Sequence, residues 1–419
     1  MNTQVSQPLK PARVITTPRR LEAMRSSGRK VMAFVVLIGA LALSIRQAHA
    51  EEAAAPAEPA KVTAPSLSDV LTASGLALTG YVDVSYQHLN GEGYFAYNGG
   101  ADRVFDARKD GFALQQAAVT LAYQPKEGFG AVVNLTAGQD ADVIAPFDSN
   151  PGANSKFDVT QAYVQYVGGP LTLIAGKYVT LAGAETINPT TDTNFSRSIL
   201  FGYAIPFTHT GIRATIAATD QLSFVVGVNN GWDDLKDTNT AKTVELGVSF
   251  APMKTLTFAA QGYFGKEHVG GFTTDPTDPE GTRSLLDVVA SWNVTDAVTV
   301  VVNYDWGKQA NALGNGNSAT WDGVAAYLNF QIDEKFRVSV RGEFLDDKDA
   351  YRTGAVQKWK ELTATLGYAP AKAVELCFEV RYDKSDISAF AKSLDLTDGI
   401  TINSSDNQSS IALEALYKF

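Results

Sequence analysis

The side chains of this chain that could do chemistry are its histidines, carboxylates and guanidiniums, and their spacing limits what that chemistry is. His49, His88, His209 and His268 stand far apart and share no metal-ligand spacing. No acidic or amide partner stands at a telling sequence distance from His88 or His209, so a lipid-hydrolysing Ser/His pair finds no support in the pattern. Asp233-Asp234 with Asp237, and Asp275 with Asp278 and Glu280, could meet calcium at a surface. The EF-hand spacing is absent, and solvated loop carboxylates are the plainer reading. Cys377 is the only cysteine, which excludes an intramolecular disulfide framework. What remains is a set of charges at alternate positions of apolar runs: Arg213, Arg341, Glu343, Glu379 and Arg381, with Lys177 nearer a strand end. Charges placed this way suit a wet wall or a field acting on passing ions. They call for no cofactor, no metal and no bond-making step.

The elements that must position these charges have a period of two. Phe336, Val338, Val340, Gly342 and Phe344 alternate with Arg337, Ser339, Arg341 and Glu343; Leu376, Phe378, Val380 and Tyr382 alternate with Glu375, Cys377, Glu379, Arg381 and Asp383. Such alternation is a strand with one apolar and one polar face. It predicts strands near 76–88, 111–123, 129–138, 157–167, 170–178, 207–218, 221–230, 241–250, 254–264, 283–293, 296–306, 320–331, 335–346, 357–368, 372–383 and 406–419, sixteen in all. Short turns rich in Gly, Pro and Asp, such as Gly168-Gly-Pro170 and Ile332-Asp-Glu334, alternate with long polar loops. Tyr123, Phe129, Phe250, Trp292, Phe330, Phe336 and Tyr368 flank the short turns and would form one aromatic girdle. Alternation alone fits a soluble sandwich as well. The turn and loop asymmetry with the girdle favours an all-β, transmembrane, antiparallel up-and-down β-barrel of about 16 strands. Sixteen strands leave room for an aqueous channel.

The two ends carry further expectations. Val31 to Ile45 is an uncharged apolar run between Lys30 and Arg46, followed by Ala48-His49-Ala50. It is short for a spanning helix, which needs about 20 residues, and reads as a signal peptide over 1–50, with Met24 a more ordinary start than Met1. Residues 51–75, rich in Ala, Pro and Glu, read as a flexible periplasmic lead-in with a short helix at 66–74; 76–419 is the barrel. Removing 1–50 takes eight basic and one acidic residue from totals of 35 and 45, leaving 27 and 44 and a formal net charge of −17. That excludes nucleic acid as a partner. A mean hydropathy of −0.07 excludes a helical membrane protein. The final strand alternates through Ile411, Leu413, Ala415, Tyr417 and Phe419. It resembles the C-terminal signature of bacterial outer-membrane barrels, whose last aromatic is read by the barrel-assembly machinery. Tyr417 and Phe419 are therefore expected to act as an assembly signal.

The longest loop, the third external one, runs from Val179 to Pro206. Gly176-Lys-Tyr-Val-Thr-Leu-Ala-Gly-Ala-Glu185, Asn194-Phe-Ser-Arg-Ser198, Pro206-Phe-Thr-His-Thr-Gly211, Asn229-Asn-Gly-Trp-Asp233 and Asp237-Thr-Asn-Thr-Ala-Lys242 resemble the blocks of the putative β-barrel porin-2 family. The resemblance implies an outer-membrane pore with no defined substrate. It leads to a porin passing small hydrophilic solutes and ions by passive diffusion, not an enzyme, embedded in outer-membrane lipid and lipopolysaccharide. A channel selective for sugars, phosphate or carboxylates is the alternative; few aromatics (Tyr163, Tyr263, Tyr327) offer a sugar path. General porins are often homotrimers, and no interface is legible in these strands. Folded into the lumen, the third loop would carry Glu185 and Asp192 toward Arg341 and Arg381. Carboxylates facing guanidiniums across a narrow passage would set up a transverse field.

Overall fold

The computed structural model describes residues 66–92, 103–106, 109–146, 156–237, 239–269, 279–313, 315–395 and 401–419. The expected signal peptide and residues 51–65 of the lead-in lie outside these residues, as do Asp275 and Asp278. The strands are β1 (Leu76–Leu89), β2 (Asp110–Tyr123), β3 (Gly128–Ala137), β4 (Phe157–Gly168), β5 (Leu171–Val179), β6 (Thr208–Ala217), β7 (Leu222–Asn229), β8 (Thr243–Met253) and β9 (Leu256–His268). They continue as β10 (Glu280–Asn293), β11 (Val298–Gln309), β12 (Ala319–Gln331), β13 (Phe336–Asp347), β14 (Gln357–Ala371), β15 (Val374–Ser385), β16 (Phe390–Asp395), β17 (Thr401–Ser405) and β18 (Asn407–Lys418). All but β16 and β17 form one closed antiparallel barrel of neighbours in chain order, sealed by β18 pairing with both β15 and β1. This is the sixteen-strand barrel that the alternation predicts.

The faces are inverted relative to a soluble protein. Leu246, Leu328, Leu362, Phe378 and Leu413 are exposed on the outside, while Glu245, Asp287, Asp305, Arg341 and Asp383 are buried inside. Leaving such an apolar outer face in water would cost about 25 cal/mol per Å²; facing lipid removes that cost. A sandwich would bury the apolar face, and this sheet does not. At the short-turn end Phe336 stacks on Tyr368 with centroids 4.7 Å apart, within the expected girdle. The seam is tight: Gly80 and Phe419 exchange both backbone hydrogen bonds, at 3.0 and 2.9 Å.

The expected helix before β1 is present at Leu67–Ser74, capped by Ser66 and ended by Gly75 in the left-handed region at φ +69. Elsewhere the loops hold structure that the alternation did not indicate. β16 and β17 pair as a separate hairpin within the last long loop. Phe390 on β16 packs edge-on against Trp359 at 5.6 Å, so the hairpin is held by a tertiary contact. Short helices form at Gln139–Ile144 and Ile199–Tyr203.

Candidate functional site

The loop between β5 and β6 crosses the barrel interior. Its turns are locally specified: Asn188 caps a 3-10 turn at Pro189–Thr191, and Ser198 caps the Ile199–Tyr203 helix. Gly183 sits at φ +93, and a Cβ there would come 2.7 Å from Ile205 Cδ1, so both the dihedral and the space require glycine.

One side of the loop is apolar. Ile187, Leu200, Phe201, Ala204, Ile205 and Phe207 pack against Tyr263 of β9, Leu285 of β10 and Trp321, Ala325 and Tyr327 of β12. The Trp321 indole N–H donates to the Ala204 carbonyl at 3.1 Å. Tyr263 and Tyr327 thus belong to this packing and form no aromatic ladder.

The other side meets charge. Arg341 Nη1 donates to Glu185 at 2.7 Å and to the Ser196 carbonyl at 2.6 Å. Its Nε lies 3.0 Å from Glu361 and 3.4 Å from Glu343. Glu379 accepts the backbone N–H groups of Phe195 and Ser196 at 2.8 and 3.0 Å, and Glu343 those of Ile199 and Leu200 at 2.8 and 3.2 Å. Arg381 donates to the Arg197 carbonyl at 2.7 Å and pairs with Asp383 at 2.8 Å. The Ala184 N–H reaches Asn303 of β11 at 3.2 Å, and Gln116 of β2 reaches the Ile187 carbonyl at 2.9 Å. The loop is therefore tied to both sides of the ring. Buried backbone donors are satisfied by wall carboxylates, as a loop inside a barrel requires.

Of the residues singled out by spacing, Glu185, Arg341, Glu343, Glu379 and Arg381 come together here. Asp192 does not approach Arg381; it pairs with Arg197 of its own loop at 2.9 Å. Glu185 and Arg341 are in contact, so they do not face each other across a gap. The transverse field expected from Glu185 facing Arg341 across a gap is thereby corrected: the two side chains are in contact, so each compensates the other's charge directly. Arg213 pairs with Glu245 at 2.8 Å and Lys177 with Asp158 at 2.9 Å, both apart from this cluster.

Sequence reasoning missed Arg197, although it lies in the block Asn194–Ser198. It also missed Arg103, which bridges Asp383 and Asp106 at 2.7 and 2.6 Å. Burial pushes the Asp192 carboxyl up to about 7, with Glu185 adding to the rise and Arg197 opposing it. Burial disfavours the Arg197 charge, but Asp192, Asp140 and Glu185 outweigh it and keep the guanidinium firmly protonated.

The histidines and loop carboxylates resolve as follows. His88 does have an acidic neighbour, Asp110 at 2.5 Å across β1 and β2, on the exposed rim. His209 is buried, stacked on Tyr263 at 4.7 Å. Asp233 accepts the N–H groups of Phe207 and Thr208, both at 2.8 Å, so it holds the start of β6.

Comparison with known proteins points one way. The model of a family described as putative beta-barrel porin-2, OmpL-like, matches residues 75–419. Among solved structures, OmpT of Vibrio cholerae in its trimer form is similar at 12% identity and TM-score 0.56, over 82% of this chain and 99% of that one. The outer membrane channel DcaP of Acinetobacter baumannii is similar at 14% identity and TM-score 0.54, over 82% and 97%. The anion-selective porin from Comamonas acidovorans is similar at 12% identity and TM-score 0.56, over 82% and 99%. No curated protein sequence matches the chain.

Proposed function

The chain belongs to the putative beta-barrel porin-2, OmpL-like family, and from that premise we propose that this outer-membrane porin is a passive, non-enzymatic pore whose constriction is the loop between β5 and β6. The observation that carries this reading is the tie of that loop to the lumen wall through Glu185, Arg341, Glu343 and Glu379. A loop pinned across the lumen sets the width available to solutes. Lys177, Asp192, Arg213 and Arg381 complete the charged lining.

The pore prefers cations weakly. Without residues 1–50 the chain holds 44 acidic and 27 basic residues, and this excess places acidic loops at the mouth. Excess fixed carboxylate raises the local cation concentration. The assembly is a homotrimer, a reading supported by the trimer form of the similar V. cholerae protein. Tyr417 and Phe419 serve assembly in the membrane. Planar-bilayer recording of the refolded chain tests the proposal: stepwise conductance in KCl is expected. A folded barrel that never conducts would overturn it.

A further inference from the structure

The connection between β1 and β2 sends a second segment into the barrel. Arg103 and Asp106 are 4% and 3% exposed. Arg103 donates to Asp383 of β15 through Nε at 3.1 Å and Nη2 at 2.7 Å, and its Nη1 reaches Asp106 at 2.6 Å and the Ser410 hydroxyl of β18 at 2.9 Å. Gln87 of β1 donates to the Asp106 carbonyl at 2.6 Å. Three neighbouring strands, β15, β18 and β1, therefore hold this segment from the wall side.

Register fixes its depth. Asp383 stands opposite Glu361, and Glu361 opposite Glu343. Arg103 is thus anchored in the same cross-strand row as the carboxylates that hold the β5–β6 loop, well inside the rim. The other face of the segment is apolar and meets that loop. Phe105 lies edge-on to Phe207 at 5.4 Å and tilted against Phe201 at 5.6 Å. A Cβ at Gly202 would come 2.9 Å from Val104 Cγ2, so the two backbones pass closely. The cavity left between them, bordered by Phe105, Arg197, Tyr203 and Trp359, is about 10 Å³, room for about one water.

We propose that Arg103–Asp106 is a second constriction element, which fills the lumen between the β5–β6 loop and the wall of β15, β18 and β1, so that two segments together set the width open to solutes. The proposal rests on the channel reading and adds Arg103 to it as the residue that seats the second segment. A guanidinium that spends two N–H groups on one carboxylate and a third on Asp106 and Ser410 is fixed in direction as well as position. Asp383 also pairs with Arg381 at 2.8 Å, so the wall keeps a cation when Arg103 is replaced. What such a replacement releases is the segment.

Planar-bilayer recording of the refolded full chain in KCl tests this. Arg103→Ala should raise the mean single-channel conductance. Excursions to a higher level should become more frequent by about tenfold or more, the scale of one lost hydrogen bond to a charged group. Arg103→Lys, which keeps the charge without the fork, should fall between. Unchanged conductance and noise in an Arg103→Ala barrel that migrates as folded would overturn the proposal. A second measurement needs no current. Val104→Cys with Gly202→Cys, in a Cys377→Ser background, sets the two Cβ atoms 3.2 Å apart, close to the roughly 3.5–4.5 Å of a disulfide. Oxidation of the folded barrel should therefore protect both thiols from maleimide labelling. Added to Arg103→Ala, the crosslink should suppress the higher level until reductant is supplied. Full labelling of the oxidised, folded barrel would overturn the placement of the segment. A crosslink in a barrel that never conducts KCl would support the placement and count against the channel reading alone.

Discussion

Arg341 and Glu185 meet at 2.7 Å across 156 positions of sequence, one on the barrel wall and the other on the loop that crosses the lumen. Glu343 and Glu361 flank the same guanidinium at 3.4 and 3.0 Å. One cation thus holds three carboxylates that would otherwise repel one another.

Arg341→Gln should free the loop. Removing one partner of a buried ion pair costs about 3–5 kcal/mol, because uncompensated charge stays behind. The expected outcome is a higher and noisier single-channel conductance from a barrel that still migrates as folded. Unchanged, quiet conductance would mean that the pair does not hold the constriction.

Shortening the loop between Ala184 and Ser198 removes Glu185, Asp192 and Arg197 together. Conductance should rise, and larger neutral sugars should enter in liposome swelling. A correctly folded variant with wild-type permeability would place the limiting section elsewhere.

Under a KCl gradient the reversal potential should indicate weak cation preference at low salt. The preference should fade toward 1 M, where the screening length falls to about 3 Å. A clear anion preference at low salt would refute the acidic-mouth reading and shift attention to Arg341 and Arg381.

The loop should also respond to pH. The folded Asp192 carboxyl titrates at about 7, above its ordinary value of 3.8. A carboxyl raised by folding binds its proton more tightly in the folded state, so its stabilising contribution is full at low pH. That contribution is lost as pH rises through the window from 3.8 to about 7, at up to about 1.4 kcal/mol per pH unit. Thermal unfolding in detergent should therefore move to lower temperature between pH 5 and pH 8, and Asp192→Asn should flatten the slope.

Gly80 faces Phe419 across the seam: a Cβ at Gly80 would lie 2.5 Å from the Phe419 ring and 2.6 Å from the Ala118 carbonyl. Gly80→Val should cost about 1–3 kcal/mol through overpacking and lower the yield of folded barrel. Deleting Phe419 should lower outer-membrane yield in cells. Unchanged yield and gel migration in that deletion would remove the proposed assembly role.

The wall of the site was legible and its partners were not. Parity alone turned Arg341, Glu343, Glu379 and Arg381 inward, because a strand with an apolar outer face has only one other side. The length of the third loop and its acidic residues pointed to a lumen element. Which wall group each loop residue meets was not readable: Phe195 finds Glu379 across 184 positions, and no periodicity links them. Arg197 was overlooked for the same reason, since a loop residue has no parity to betray its direction. Spacing also carries no distance, so Glu185 facing Arg341 across a gap and Glu185 touching it look identical in sequence. The hairpin of β16 and β17 was missed because its strands are short and are held by Phe390 against Trp359.

The pairing of β1 with β18 has a consequence for the order of folding. Every other barrel contact joins strands that follow one another along the chain or flank the last loop, whereas this one joins elements separated by almost the whole barrel. Closure entropy grows with the length of chain enclosed, so the seam is the contact of highest order and forms late. Variants that weaken this one long-range pairing should therefore slow the appearance of the heat-modifiable folded form more than equal changes between strands that follow one another along the chain.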